Sequence, residues 1–225
     1  MFWKKVSAIS LTVLILAVVS GSIPILANEQ TGPTATVESD FYQDNDQLKY
    51  PQVSDVKDEK MEEKINKQLL QYIKDSYKEY KQNEKMAKKY DFKADYQTEY
   101  EVKYNKAPKL SILTSNYIFS GGAHGNTTVQ SFNYDVEEGK RVVLTDILKT
   151  EEQRKDVQEY VWEYAIERPD IFYPDLKKED VKLHADTAFY YNDDGITLVF
   201  QQYEIAPYVS GNQEIKVPED VYKEA

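Results

Sequence analysis

The chain has 225 residues, a formal net charge of −11 and no cysteine. The acidic balance argues against nucleic acid and anionic lipid as partners, because both repel a negatively charged surface. Without cysteine no disulfide can hold the fold together, so its stability must come from a hydrophobic core. The 19 tyrosines add apolar area with a polar tip, which suits half-buried strands and binding surfaces.

Residues 1–27 have the pattern of an export segment. Lys4 and Lys5 precede an uncharged run from Val6 to Ala27, which fits a signal peptide and is also long enough to stay as a membrane anchor. Both alternatives place the rest of the chain outside the cytoplasm, either secreted or held at the outer face of the membrane. The two lysines are the only charges in this segment, so its removal takes the net charge from −11 to −13. Export without cysteine favours a bacterial cell envelope.

The next segment predicts a linker followed by an edge strand and a long helix. Residues 28–47 are mostly polar, which is typical of a linker, and we expect the folded domain over residues 48–221. Lys49 to Val53 predicts a short edge strand that tolerates its proline. Asp55 is the expected helix cap, and the charged stretch from Lys81 to Lys93 is expected to fray into a loop. The apolar stripe of this helix is Met61, Ile65, Leu69, Tyr72, Ile73 and Tyr80.

The rest of the sequence predicts hairpins and a second helix. Thr150 and Gln153 have the spacing of a capping box, and the helix that they begin ends at Arg168–Pro169. Glu137–Lys140 and Asn192–Gly195 are hairpin turns. We therefore predict an α+β fold, an antiparallel sheet built from hairpins with two main helices packed on it. The predicted strands are Tyr100–Tyr104, Leu110–Phe119, Thr127–Val136, Arg141–Leu144, Phe189–Tyr191, Ile196–Phe200 and Glu214–Val217.

The loop Ser120–Gly125 is the most informative segment. It holds three of the eight glycines and one of the two histidines. Gly121 and Gly122 predict backbone angles that a side chain would disfavour, or close approach to another group. His124 has two interpretations: its ring could bond carbonyl groups and hold the crossover between strands, or it could contact a ligand from an exposed loop.

A second candidate surface lies near the C-terminus. Tyr203 and Tyr208 bracket Pro207, which interrupts a strand and leaves an irregular, tyrosine-rich edge. The alternative is that both tyrosines simply cover the core. The candidate ligand-binding residues are Gly121, Gly122, His124, Tyr203 and Tyr208.

No catalytic residue, metal site or cofactor is predicted. His124 and His184 are the only histidines, and the sequence has no paired-histidine spacing. Asp193 and Asp194 lie in an Asn-Asp-Asp-Gly turn, which favours turn chemistry over a carboxylate pair. Ser120 lacks an orienting acid for a dyad with His124. A glycan-acting enzyme stays as the alternative, since the 39 Asp and Glu residues offer many carboxylate pairs and single out none.

Several segments in this order resemble the RsiV-type extracytoplasmic domain, which is shared by the anti-sigma-V lysozyme receptor and by the non-catalytic N-terminal region of PdaC-type peptidoglycan deacetylases. The resemblance spans about Tyr50 to Pro218. The segments that carry it are Tyr50–Val53, Tyr100–Tyr104, Ser120–Gly125, Glu138–Lys140 with Leu144–Leu148, Phe200–Tyr208, Gly211 and Ile215–Pro218.

The resemblance implies binding of lysozyme or peptidoglycan by a module without catalytic activity. Only five residues precede the apolar run, so the sigma-binding region of the receptors is not expected here. The chain ends at Ala225 without a deacetylase domain, so we expect a stand-alone binding module, or an accessory domain of a peptidoglycan-modifying system. The acidic charge suits a basic lysozyme, and we expect a membrane contact only through an uncleaved N-terminal segment.

Overall fold

The computed structural model describes residues 32–223, and these form an α+β fold, as predicted. Three antiparallel sheets have the strand orders β1-β2, β3-β4-β5-β6 and β7-β8-β9. The elements are β1 Thr36–Phe41, β2 Lys49–Ser54, α1 Glu59–Tyr90, β3 Asp95–Lys106, β4 Lys109–Phe119, β5 Asn126–Asp135, β6 Lys140–Val142, α2 Leu144–Ile147, α3 Glu151–Ile166, β7 Ala188–Asn192, β8 Gly195–Val199 and β9 Glu214–Pro218.

Helix α1 is longer than the sequence predicts at its C-terminal end and begins at a different cap. Asp58 caps it, with its carboxylate accepting the Lys60 N–H at 2.9 Å, whereas Asp55 lies before the helix with φ of +62°. The charged stretch after Lys81 stays helical up to Tyr90. The helix continues because Asn83 lies on its buried face. The side-chain amide of Asn83 donates to the backbone carbonyls of Asp95 and Phe119.

The folded structure begins earlier than the sequence indicates. Strand β1 lies inside the segment 28–47 that the polar composition marks as a linker, and it pairs antiparallel with β2. The Asn105 amide holds the chain just before β1: its Oδ1 accepts the N–H groups of Thr34 (2.7 Å) and Ala35 (3.1 Å), and its Nδ2 donates to the Ala35 carbonyl (2.7 Å). A polar strand at an edge is stabilised by backbone pairing, which composition does not reveal.

Two large hydrophobic clusters form most of the core, and a small third one, made of Leu113, Ala188 and Val199, lies between β4 and the C-terminal sheet. One large cluster lies between α1 and the sheet β3-β4-β5-β6, with Ile65, Leu69, Ile112 and Phe132 fully or nearly fully buried. The second large cluster lies between α3 and the sheet β7-β8-β9. The capping box at the start of α3 is present as predicted. The main buried residues of this second cluster are Val157, Val161, Phe189, Leu198, Phe200, Ile205, Ile215 and Val217.

Strand β7 joins the two halves by crossing the sheet face opposite α1. The Phe189 N–H donates to Ser131 Oγ at 3.1 Å, and the Tyr191 N–H donates to Ser111 Oγ at 3.1 Å. Asn133 Nδ2 returns a bond to the Phe189 carbonyl at 2.8 Å. These contacts place the C-terminal sheet against the β4–β5 hairpin.

No helix within residues 32–223 is both long and apolar enough to cross a membrane. The uncharged run that predicts a signal peptide or an anchor lies outside the described residues.

Asn105→Ala tests the early start of the fold. The substitution leaves two backbone N–H groups and one carbonyl in a half-buried site without their partner, so we expect the free energy of unfolding to fall by about 2 kcal/mol. Chemical denaturation measures it. Asn126→Ala is the control, because Asn126 is a half-buried residue of the same type at the start of β5 and takes no part in the bonds to Thr34 and Ala35. Equal stability of the two variants would contradict the assigned role of Asn105.

Candidate functional site

The loop between β4 and β5 uses its glycines as the sequence predicts. Gly121 and Gly122 have φ of +86° and +96°. A β-carbon on Gly121 would lie 3.3 Å from the Phe92 ring, and one on Gly125 would lie 2.4 Å from the Tyr117 ring. The loop thus combines a left-handed turn with a close approach to aromatic rings, and it leaves the His124 side chain exposed.

The two candidate segments meet in space. The His124 ring stacks on the Tyr208 ring, with centroids 3.9 Å apart and planes at 22°. The Tyr203 ring stacks on Tyr208 at 5.7 Å, and Tyr203 is 50% exposed. We call these three residues the aromatic platform. Gly121 and Gly122 belong to its supporting loop.

The hydrogen bonds of the platform define the tautomer of a neutral His124 ring. Nδ1 lies 2.9 Å from the Gly125 carbonyl oxygen, which only accepts, so Nδ1 carries the proton. Nε2 then accepts the hydroxyl hydrogen of Tyr203 at 3.3 Å. The ring thus bonds a carbonyl of its own loop and also lies on an exposed surface, and its contact with a ligand stays a prediction.

Two glutamines fix the second segment to the sheet. Gln201 Oε1 accepts the Val129 N–H at 2.9 Å, and Gln201 Nε2 donates to the Val129 carbonyl at 2.8 Å. Gln202 Oε1 accepts the Thr127 N–H at 2.8 Å. Strand β6 pairs only with residues 133–135 of β5, so within the described part of the chain the edge of β5 at Val129 has no neighbouring strand. The side-chain amide of Gln201 bonds this edge as the peptide group of a neighbouring strand would. This role of the Gln-Gln pair is not predictable from the sequence, where its only signal is its position before Tyr203.

The turn that follows has a strained backbone and a half-buried acid. Tyr203 adopts φ of +67°, which is uncommon for a residue with a side chain. Ile205 and Ala206 are buried beneath the turn. Glu204 Oε2 accepts the Gln201 N–H at 2.8 Å, and burial raises the pKa of the Glu204 carboxyl above its ordinary value of 4.5. The Glu204 carboxylate therefore stabilises the turn by accepting the Gln201 N–H, although the fold removes water from the carboxylate.

The remaining candidates from the sequence lie elsewhere. Ser120 Oγ donates to Asn83 Oδ1 at 2.8 Å, so its hydroxyl is directed to α1. Asp193 lies in the β7–β8 turn and forms an ion pair with Lys106. His184 Nδ1 accepts the Asp186 N–H in an exposed turn. Within residues 32–223 no group of three or more His, Asp or Glu residues is arranged to hold a metal ion.

Gly121→Ala and Gly122→Ala test the conformational demand of the loop. Each variant places a β-carbon at positive φ, so we expect each to lower the free energy of unfolding by about 1 kcal/mol. Gly32→Ala is the matched control, because its β-carbon would meet open space without a positive φ. Thermal and chemical unfolding give the comparison. Losses equal to that of the control would show that the loop tolerates side chains.

Glu204→Gln tests the half-buried acid. A raised pKa in the folded state means that the charged form is less stable there than in the unfolded chain, so ionisation destabilises the fold as pH rises. The amide keeps an oxygen acceptor for the Gln201 N–H and removes the charge. We expect the variant to melt higher than the wild type at pH 8. This gain should shrink as the pH falls and vanish below the ordinary pKa of 4.5, where the carboxyl is protonated in both the folded and the unfolded chain. A constant difference across this range would contradict the interpretation.

Two family profiles match successive parts of the chain. Residues 36–127 match the family described as "Deacetylase PdaC", and residues 142–220 match "Protein of unknown function (DUF3298)". The peptidoglycan-N-acetylmuramic acid deacetylase PdaC of Bacillus subtilis (strain 168) is 28% identical over 129 residues, which are 51% of this chain and 26% of that protein. The chain therefore matches about a quarter of the length of this curated relative.

One solved structure shows a similar fold. A DUF3298-family crystal structure from Bacteroides fragilis aligns with a TM-score of 0.56 at 18% identity, over 83% of this chain and 92% of that chain. A DUF3298-family protein from Pseudomonas aeruginosa aligns with a TM-score of 0.44 at 22% identity, over 57% of this chain and 60% of that chain. The PdaC part of the predicted resemblance is thus confirmed, and the part that concerns RsiV stays a prediction. Residues 36–127 are thus similar to the PdaC profile and residues 142–220 to the DUF3298 profile.

Proposed function

We propose that this protein is a non-enzymatic, extracytoplasmic module of the cell envelope that binds peptidoglycan through the aromatic platform. The observation that carries the proposal is the stacking of His124, Tyr203 and Tyr208 into one exposed surface from two segments about 80 residues apart. Tyrosine combines a large apolar face with a polar hydroxyl, and it is enriched in binding surfaces.

A pyranose ring matches this surface chemically. One face of the sugar presents C–H groups that pack on an aromatic ring, while its hydroxyl groups need donors and acceptors at the rim. The platform offers the half-exposed Tyr203 ring with hydroxyl and imidazole groups at its edge. The bonds of Gln201 and Gln202 to β5 hold the tyrosines in place before a ligand arrives, which lowers the entropic cost of binding.

The similarity to PdaC supports an extracytoplasmic location and peptidoglycan as the ligand. The name of that relative states an activity on peptidoglycan. The region shared with this chain covers about a quarter of the length of the relative. We therefore propose a role as an accessory binding module in the envelope, either secreted or anchored through the N-terminal segment. The deacetylase activity is a property of the relative and is not part of this proposal.

Lysozyme is a second candidate ligand, favoured by the net charge of −11 and by the resemblance to the RsiV-type receptor domain. Salt separates the two candidates. Attraction between an acidic module and a basic enzyme weakens with salt, because exposed charges are screened within about 10 Å at 0.1 M ionic strength. Stacking on sugar depends little on salt.

Single substitutions Tyr203→Ala and Tyr208→Ala test the platform. We expect each to weaken sedimentation with purified peptidoglycan at least ten-fold, because the stacked surface is lost, with a melting temperature close to that of the wild type for the exposed Tyr203. Tyr90→Ala is the control, since Tyr90 is 58% exposed and lies at the end of α1. Unchanged sedimentation of both variants would refute the proposal, and strongly salt-dependent binding to lysozyme alone would favour the second candidate.

A further inference from the structure

A polar groove of about 580 Å³ lies between α1 and the face of β4 and β5, apart from the aromatic platform. Its wall on α1 extends from Gln68 to Glu79, and a helical rise of about 1.5 Å per residue makes this wall roughly 16 Å long. The opposite wall comes from β4 and β5, and Arg141 and Thr187 close one side. The groove is therefore long enough for several linked rings.

The lining of the groove is rich in uncharged polar side chains. Amides and hydroxyls come from both walls, and they provide donors and acceptors together. Thr128 and Gln130 are exposed neighbours on alternate positions of β5, and their side chains have no hydrogen-bond partner within residues 32–223. The uncharged polar lining residues are Gln68, Gln71, Ser76, Thr114, Asn116, Thr128, Gln130, Ser131 and Thr187.

Arg141 provides an independent indication of a ligand. Its Nε atom is buried without a hydrogen-bond partner among the described residues. One terminal nitrogen donates to the Ser131 carbonyl at 3.2 Å, and the guanidinium lies 4.7 Å from the centre of the Phe132 ring. A buried donor without an acceptor is rare in native proteins and calls for a partner. An oxygen acceptor on a molecule in the groove would satisfy it.

The floor of the groove is held rigid by a hydrogen-bond chain. The Tyr72 hydroxyl donates to Asn116 Oδ1, and Asn116 Nδ2 donates to Ser76 Oγ at 2.9 Å and to the Tyr96 hydroxyl oxygen at 3.0 Å. Tyr96 in turn donates to Glu79 Oε2 at 2.9 Å. Each of these side chains has a hydrogen-bond partner, so the floor of the groove is preorganised for recognition.

The charges of the groove disfavour an anionic ligand. Asp75, Glu79 and Asp186 line it against the single cation Arg141, so an anionic polymer would be repelled. An apolar ligand would leave the many amides and hydroxyls without partners, which is costly.

We propose that this groove binds an uncharged oligosaccharide, with a ligand carbonyl or hydroxyl oxygen accepting from Arg141 Nε. Thr128 and Gln130 bond sugar hydroxyls from the open rim. This site is separate from the aromatic platform, and its existence does not depend on the function proposed for that platform.

The test is calorimetric titration of the folded protein with chitotetraose, an uncharged tetramer of N-acetylglucosamine, in a Tyr203→Ala background that removes the platform ring. We expect saturable binding in this background. The additional pair Thr128→Ala and Gln130→Ala should weaken it at least ten-fold without changing the melting temperature, because both side chains are exposed and bond no other described residue. The matched control is Thr36→Ala with Gln97→Ala, which changes the same residue types on exposed strand positions outside the groove.

Two results would overturn the groove assignment. One is the absence of chitotetraose binding in the Tyr203→Ala background, and the other is equal affinity of the groove pair and the control pair. Neither result affects the peptidoglycan sedimentation test of the aromatic platform, so the failure of one proposal is distinguishable from the failure of the other.

Discussion

The antiparallel pairing of β4 with β5 is the constraint on which the rest of the structure depends. Side chains alternate across a strand, so the pairing of Ile112 with Phe132 and of Asn116 with Thr128 directs one set of residues toward α1. Alternate positions are directed to the other face, where Ser111 meets β7. A slip by one residue would exchange both sets, so the hairpin register determines the core, the groove and the contact between halves together.

The same hairpin accounts for the location of the aromatic platform. Its closing loop carries His124, and the edge of β5 beyond the short β6 leaves backbone groups unpaired at Thr127 and Val129. Exposed strand edges attract pairing with other chains. Gln201 and Gln202 cover this edge with side-chain amides, and in doing so they bring the tyrosine segment to the loop. The protection of the edge and the assembly of the platform are thus one set of contacts.

The sequence predicted those features that depend on local patterns. The alternation in β3 to β5, the capping box of Thr150 and the positive φ of Gly121 and Gly122 all follow from neighbouring residues. The start of β1 did not, because Thr36–Phe41 has the composition of a linker and is held by pairing and by Asn105 from a distant strand. The contact of His124 with Tyr208 also joins distant positions, and no local pattern specifies which segments meet.

The aromatic platform is assembled from both regions of the chain that match family profiles. His124 belongs to the PdaC-like region, whereas Tyr203 and Tyr208 belong to the DUF3298-like region. Each region contributes most of one hydrophobic cluster, yet the stacked surface exists only when β7 and the Gln201–Gln202 segment pack on the β4–β5 hairpin. A ligand that contacts both His124 and Tyr203 would bind the joined form and add its binding free energy to the interface between the regions.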